Sequence, residues 1–258
     1  MPILSGLDAL PRVLAALVLV IVAAGIAWWQ KVDLERDIGV ATVRSFVQLI
    51  AIGYILEAVF DTTNPLFIVL ILMVMTTIAG YTAGQRGAGV PNARLVAGVA
   101  IAAGTLVTLG LLVGLRVFRF EARLIIPIGG MVIGNAMTTC GLVLARLRDE
   151  IKTTRTQIEA ALALGATPRQ SVAGQLRRVL KSGLLPVIDS TKIVGIIQLP
   201  GTMTGMILGG ATPLAAVQTQ IIVLYMLLGA AAFSALATAL LGYRGFFSAA
   251  YQVQHVPQ

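Results

Sequence analysis

Cysteine and histidine are almost missing from this chain. Cys140 and His255 are the single examples in 258 residues. That excludes an intramolecular disulfide framework, a Cys/His zinc signature and a histidine-based catalytic triad. Charge is scarce as well: Asp, Glu, Lys and Arg make up 12% of the residues, against about a quarter in a soluble domain. No GxxxxGK[ST] string occurs, so the chain carries no Walker-type nucleotide site. No nucleophile–base pair and no paired catalytic carboxylates stand out. An intramembrane enzyme therefore finds no machinery here, and no catalytic residue is assigned.

What the chain does have is apolar surface: 57% hydrophobic residues and a mean hydropathy of +0.91. One core cannot hide that much, so the excess faces lipid, and the fold class is an all-α polytopic integral membrane protein. A crossing helix needs about 20 mainly apolar residues. Such stretches lie at 9–29, 38–60, 64–83, 93–115, 124–145, 188–210 and 214–241. They predict seven spans in a single transmembrane domain over 1–258. The first run ends in Trp28-Trp29, an interfacial anchor, and reads as a retained helix rather than a cleaved signal peptide. Asp189, Lys192 and Pro200 interrupt the sixth stretch, and Pro200 removes a backbone donor, which predicts a kink or break beside Gly201.

The net charge of +8 is a topology signal rather than a nucleic-acid footprint, because the basic residues punctuate apolar runs. With seven spans and 146–187 placed inside, only Arg12, Arg116, Arg119 and Arg123 of the 19 Lys and Arg fall outside. The other fifteen put the N-terminus outside and the C-terminus inside.

The long polar stretch 146–187 begins as a charged run of helix formers and is interrupted at Gly165-Ala166. Thr167 is a natural N-cap, Pro168 suits the first helical position and Gln170 completes a capping box. The segment is thus expected to form two cytoplasmic helices meeting at an abrupt corner. From charge alone, a solvated hairpin is an equal reading.

The string Glu159-Ala160-Ala161-Leu162-Ala163-Leu164-Gly165 resembles the EAA-x3-G signature of ABC transporter permeases, although the Leu-Pro element usual after it stands far downstream, at Leu185-Pro186. A wider resemblance rests on five blocks. They are Val43-Arg44-Ser45-Phe46-Val47-Gln48-Leu49, the run from Gly129 to Thr138, that from Ala163 to Gln170, that from Leu185 to Lys192, and that from Leu199 to Gly210. Over about 38–247 the chain resembles the bacterial iron-export ABC permeases, to which plant aluminium-tolerance permeases are related. The resemblance implies a permease of the bacterial inner membrane that exports metal and pairs with a separate ABC ATPase. That partner would bind the ATP and magnesium, with no cofactor in this chain. In this reading Glu159, Ala160, Ala161, Gly165, Thr167, Pro168, Arg169 and Gln170 form the ATPase-coupling element. A homodimer follows, because two copies are needed to enclose a path.

Polar residues at membrane depth are costly and are candidates for the path. Arg44 and Gln48 share a helix face, with Glu57 further along the same helix, while Asn135 and Thr138 lie within the fifth stretch. Gln198, Thr202, Met203 and Met206 surround the Pro200 interruption. Each has a plainer reading: Arg44 and Glu57 reach headgroups or water, and Asn135 bonds across helices. The metal ligands stay unassigned. Gly130 and Gly134, and Gly201, Gly205 and Gly209, have the spacing of close helix contacts. Two rival functions remain open: export of a sugar-nucleotide or lipid-like solute, and a scaffold that recruits an ATPase without transport.

Overall fold

The computed structural model describes residues 10–60, 64–248 and 250–254; residue 9, where the first expected span begins, and His255 lie outside them. The described residues are almost wholly helical and fall into two compact units, Met1–Thr62 and Thr63–Gln258.

The first unit is a helical hairpin, α1 (Leu10–Trp29) followed by α2 (Glu35–Phe60). Its turn is short because Lys31 and Asp33 adopt positive φ (51° and 55°), which reverses the chain within a few residues. The Val32 amide closes it by donating to the Ala27 carbonyl at 3.1 Å.

The second unit contains α3 (Pro65–Arg86), α4 (Ala93–Gly114), α5 (Ala122–Thr153), α6 (Arg155–Ala163), α7 (Pro168–Ser171), α8 (Ala173–Ile193), α9 (Gly201–Leu208) and α10 (Pro213–Gly242). A 3₁₀ turn, Tyr243–Phe246, follows. α5 is the axis. Its stripe Val132, Ala136, Cys140, Val143, Leu147 and Ile151 repeats every three or four residues and is fully buried. α3, α4, α8 and α10 all pack against it. α4 and α10 approach closely because they present small residues, Ala93, Ala97 and Ala100 on one and Ala231, Ala235 and Ala239 on the other. A methyl group at Gly80 would stand 2.6 Å from the Gly98 Cα, so α3 packs on the α4 backbone at a point where α3 cannot carry a side chain.

Five described helices are long and apolar enough to cross a membrane: Glu35–Glu57, Pro65–Arg86, Ala93–Gly114, Ala122–Thr153 and the run Pro213–Phe246. The apolar stretch Ala15–Trp29 is shorter. The sixth stretch, 188–210, is broken, as Pro200 predicts, but the break is longer than a kink beside Gly201. α8 stops at Ile193, residues 194–200 turn back on themselves, and α9 has only 8 residues. The Gly195 amide donates to the Gln198 carbonyl at 2.9 Å, and Gly195 takes φ +83°. The break therefore starts six residues before Pro200, at a glycine turn, and proline only ends it.

Helices run straight through both bounds of the polar segment, 146 and 187. α5 runs 32 residues, about 48 Å at 1.5 Å per residue, which exceeds a hydrocarbon core of about 30 Å. Its charged last turns simply continue the rod out of the bilayer. α8 likewise passes through position 187 without interruption. The charged run that was read as one helix breaks at Thr154, separating α5 from α6.

Candidate functional site

The corner at Gly165 is built by two back-to-back caps. α6 ends at Ala163, and Gly165 takes φ +89°, the left-handed conformation that favours glycine. The Gly165 amide donates to the Leu162 carbonyl at 2.9 Å and the Ala166 amide to the Ala161 carbonyl at 3.0 Å. That pair of bonds is a Schellman cap. Two residues later Thr167 opens α7. Its hydroxyl accepts from the Gln170 amide at 3.4 Å, while the Gln170 side chain accepts from the Thr167 amide at 2.9 Å, with Pro168 in the first turn. One helix is thus terminated and another started within four residues, and no slack remains between them.

The corner is also firmly mounted. Ile158, Ser171, Val172 and Gln175 are buried. Gln175 Nε2 donates to Thr154 Oγ1 at 3.0 Å, and Arg178 donates from Nε and Nη2 to Glu150 Oε2 at 3.0 and 2.8 Å. The hydrogen bond and charge of Glu150 raise the Arg178 pKa further above its ordinary value. Arg148 reaches across to the Ala88 carbonyl at 2.9 Å, tying the α3–α4 turn to the same end of the bundle.

Two features of the corner were not read from the sequence. Glu159, assigned to the coupling element, is paired with Arg155 on its own helix at 2.7 Å. Leu164, which was not singled out, stands at the tip with 90% of its surface exposed, directly before the glycine. An apolar side chain held out on a rigid corner was visible in the sequence only as one more leucine of an apolar run. Ala160, Thr167, Arg169 and Gln170 are exposed beside it, Ala161 and Pro168 half-buried.

The path candidates are divided between the two units. Arg44, Gln48 and Glu57 are exposed on α2, in the first unit. Asn135, in α5, donates from Nδ2 to the Leu227 carbonyl of α10 at 2.9 Å, so its amide is already spent on joining two helices. Thr138 is exposed and returns its hydroxyl to the Gly134 carbonyl at 3.2 Å. Around the break, Gln198 is exposed, while Thr202, Met203 and Met206 are half-buried. The glycine stripes meet their expectation only in part. A Cβ at Gly130 would stand 3.1 Å from Met75 Cε, whereas Gly134, Gly201 and Gly205 have open space there. Tighter approaches within this chain are made at Gly80, Gly84 and Gly104.

Two more features escaped the sequence. Thr105, Thr108 and Ser234 carry buried hydroxyls that find no partner among the described residues, and Thr238 Oγ1 lies 2.7 Å from the Ser234 carbonyl and 3.0 Å from Cys140 Sγ. Their i, i+3 and i, i+4 spacing on α4 and α10 was the available signal. A groove of about 1110 Å³ runs along α3 and α4, from Tyr81 and Arg94 to Phe120, and none of the path candidates lines it. Arg94 lies 4.6 Å over the Tyr81 ring.

Long apolar helices around a buried axis, with a capped polar corner at one end, define a polytopic helical membrane protein. More narrowly, the chain belongs to the family described as "Uncharacterised protein family (UPF0014)", whose model matches residues 10–247. It is 49% identical to "Protein ALUMINUM SENSITIVE 3" of Arabidopsis thaliana over 240 residues, 93% of this chain and 88% of the relative. The "UPF0014 membrane protein STAR2" of Oryza sativa subsp. japonica is 47% identical over 239 residues, 93% of this chain and 84% of that one. The "Probable iron export permease protein FetB" of Escherichia coli (strain K12) is 35% identical over 238 residues, 92% of each. No solved structure matches the chain.

Proposed function

We propose that this chain is the membrane-spanning permease subunit of an ABC exporter for iron or another metal cation. It works as a homodimer in the bacterial inner membrane, and a separately encoded ATPase drives it. The observation that carries this reading is the corner: two caps back to back, with Leu164 held out at the tip. A rigid polar corner with an apolar knob fits a groove on a soluble partner, and ATP hydrolysis has to come from a partner because the chain has no nucleotide loop. The name of the Escherichia coli relative supports export and iron.

The α3–α4 turn, the last turns of α5 and the end of α10 lie at one end of the bundle, as Arg148 on Ala88 and Gly242 against Leu147 attest. This grouping supports one cytoplasmic side holding the corner and the C-terminus. Gly201 and Gly205, open on α9, support a contact with a second copy. The path in this reading runs beside the broken stretch, past Gln198, Thr202, Met203 and Met206. One observation favours a second reading, export of a lipid-like solute: the groove along α3 and α4 is apolar and ends on a cation, Arg94.

The ATPase partnership is tested by affinity purification of the tagged protein from mild detergent. A Walker A ATPase is expected to co-elute in stoichiometric amount and to leave when residues 155–171 are replaced by a flexible linker. Elution of the permease alone, at concentrations where such complexes hold, overturns the ABC assignment.

A further inference from the structure

Asp189 and Lys192 lie in the last two turns of α8, and the antiparallel packing of α8 on α5 sets their depth. Gln175 meets Thr154, Arg178 meets Glu150 and Gly183 packs on Val143. The contacts descend about one residue for one residue, so Asp189 comes level with about residue 137 of α5. The edge of the bundle is marked by Gly87 against Leu144 and Gly242 against Leu147. Asp189, one residue past the start of the sixth stretch, therefore sits about two turns inside that edge.

The two side chains pair, Lys192 Nζ to Asp189 Oδ1 at 3.1 Å, and remain 68% and 61% exposed. Around them the chain is apolar and equally bare: Ile196 and Ile197 are 86% and 79% exposed. An exposed ion pair in water is unremarkable and contributes about 0–1 kcal/mol. At membrane depth it is not, since a single charged residue at the helix centre costs about 2.5–3.5 kcal/mol on insertion scales. The pair must face water or a second protein surface. The other carboxylates of this unit do not share the position. Glu121 precedes α5, Asp149 and Glu150 engage Arg148 and Arg178, and Glu159 engages Arg155. Among the described residues of this unit, Asp189 is the carboxylate that reaches the interior of the bundle's span.

We propose that Asp189 is the cation-binding carboxylate of the translocation path, and that the Lys192 ammonium is its resident counter-ion, displaced when a divalent metal cation arrives. The inference rests on the permease reading and names the residue within it that recognises charge. A carboxylate supplies the hard oxygen donor that Fe²⁺ and Mn²⁺ accept, and the unwound backbone at 194–200 follows two residues after Lys192. The tethered ammonium keeps the site neutral when empty, so the segment can stay at depth without a metal. It also makes the lysine a built-in competitor: metal binds only as strongly as it outcompetes Nζ.

The test uses the permease with its ATPase in proteoliposomes, with Fe²⁺ under reducing conditions and Mn²⁺ as probes. Asp189→Asn is expected to lower uptake at subsaturating metal about tenfold or more, while Asp189→Glu keeps most of it. Lys192→Gln removes the competitor and is expected to lower the half-saturating metal concentration severalfold. Wild-type uptake in Asp189→Asn, or an unchanged half-saturation in Lys192→Gln, overturns this inference alone. If the unaltered complex moves neither metal, the metal-export reading fails and this assignment fails with it. Where Asp189→Asn does not assemble, the Lys192→Gln half-saturation decides.

Discussion

Gly165→Val is expected to lower ATP-driven transport about tenfold or more while the membrane helices stay folded. Gly165 holds φ +89° and has open space where a Cβ would stand, so the substitution meets no steric wall. It fails on backbone conformation. A left-handed residue with a Cβ costs roughly 1–2 kcal/mol, and a β-branched one more. The chain escapes that cost by giving up the Gly165–Leu162 and Ala166–Ala161 bonds, and α7 then leaves α6 at another angle. The buried residues that mount the corner flank it, Ile158 seven residues before Gly165 and Val172 and Gln175 seven and ten after it, so damage stays at the tip. Gly165→Asn is the matched control, since asparagine visits the left-handed region and should retain most activity. The measurement is substrate-stimulated ATP hydrolysis in reconstituted membranes, alongside the helical content. Equal activity in the valine and asparagine variants would show that the corner's geometry does not matter to coupling.

Leu164→Asp is expected to weaken ATPase binding roughly 30-fold, which corresponds to a contact of about 2 kcal/mol at the centre of an interface. The residue is 90% exposed, so its replacement disturbs nothing within the chain, and stability should change by less than about 0.5 kcal/mol. The contrast with its neighbour is the point of the experiment. Gly165 shapes the corner, whereas Leu164 is what the corner presents. Binding of the purified ATPase to the detergent-solubilised permease reads the effect directly. Unchanged affinity in Leu164→Asp means the tip is not buried by a partner. The same substitution leaves the Arg155–Glu159 pair intact, which separates loss of the apolar knob from loss of charge.

The corner was legible because its chemistry is local. Gly165 ends a helix and Thr167-Pro168-Arg169-Gln170 starts one, and both caps need only residues within a turn of each other. The apolar helices of the second unit were legible for a similar reason, as each is one long run. In the sixth stretch Pro200 announced a break but not where it begins, because hydropathy averages over it. Gly195 turns the chain without lowering apolarity, and Ile196, Ile197 and Leu199 keep the window hydrophobic across a segment that is not helical. The outward reach of α5 was missed for the opposite reason. Charge begins at Arg146, but nothing in Arg146–Thr153 stops a helix, so the edge of the membrane and the end of the helix are different residues. Asn135 was read as either bonding across helices or lining a path, and it makes a cross-helix bond. Its partner is a backbone carbonyl 92 residues away, and no side-chain pattern announces a carbonyl. The buried hydroxyls of Thr105, Thr108 and Ser234 escaped because serine and threonine among alanines barely alter hydropathy.

The central claim is that this chain moves a metal cation only when an ATPase is seated on its Gly165 corner. The direct measurement is Fe²⁺ movement across sealed proteoliposomes containing the permease, with and without the co-purified ATPase and Mg-ATP. The predicted result is movement that requires both subunits and ATP, and that falls about tenfold or more in Gly165→Val. Movement that proceeds without the ATPase, or hydrolysis by the assembled complex with no metal moved, would contradict it.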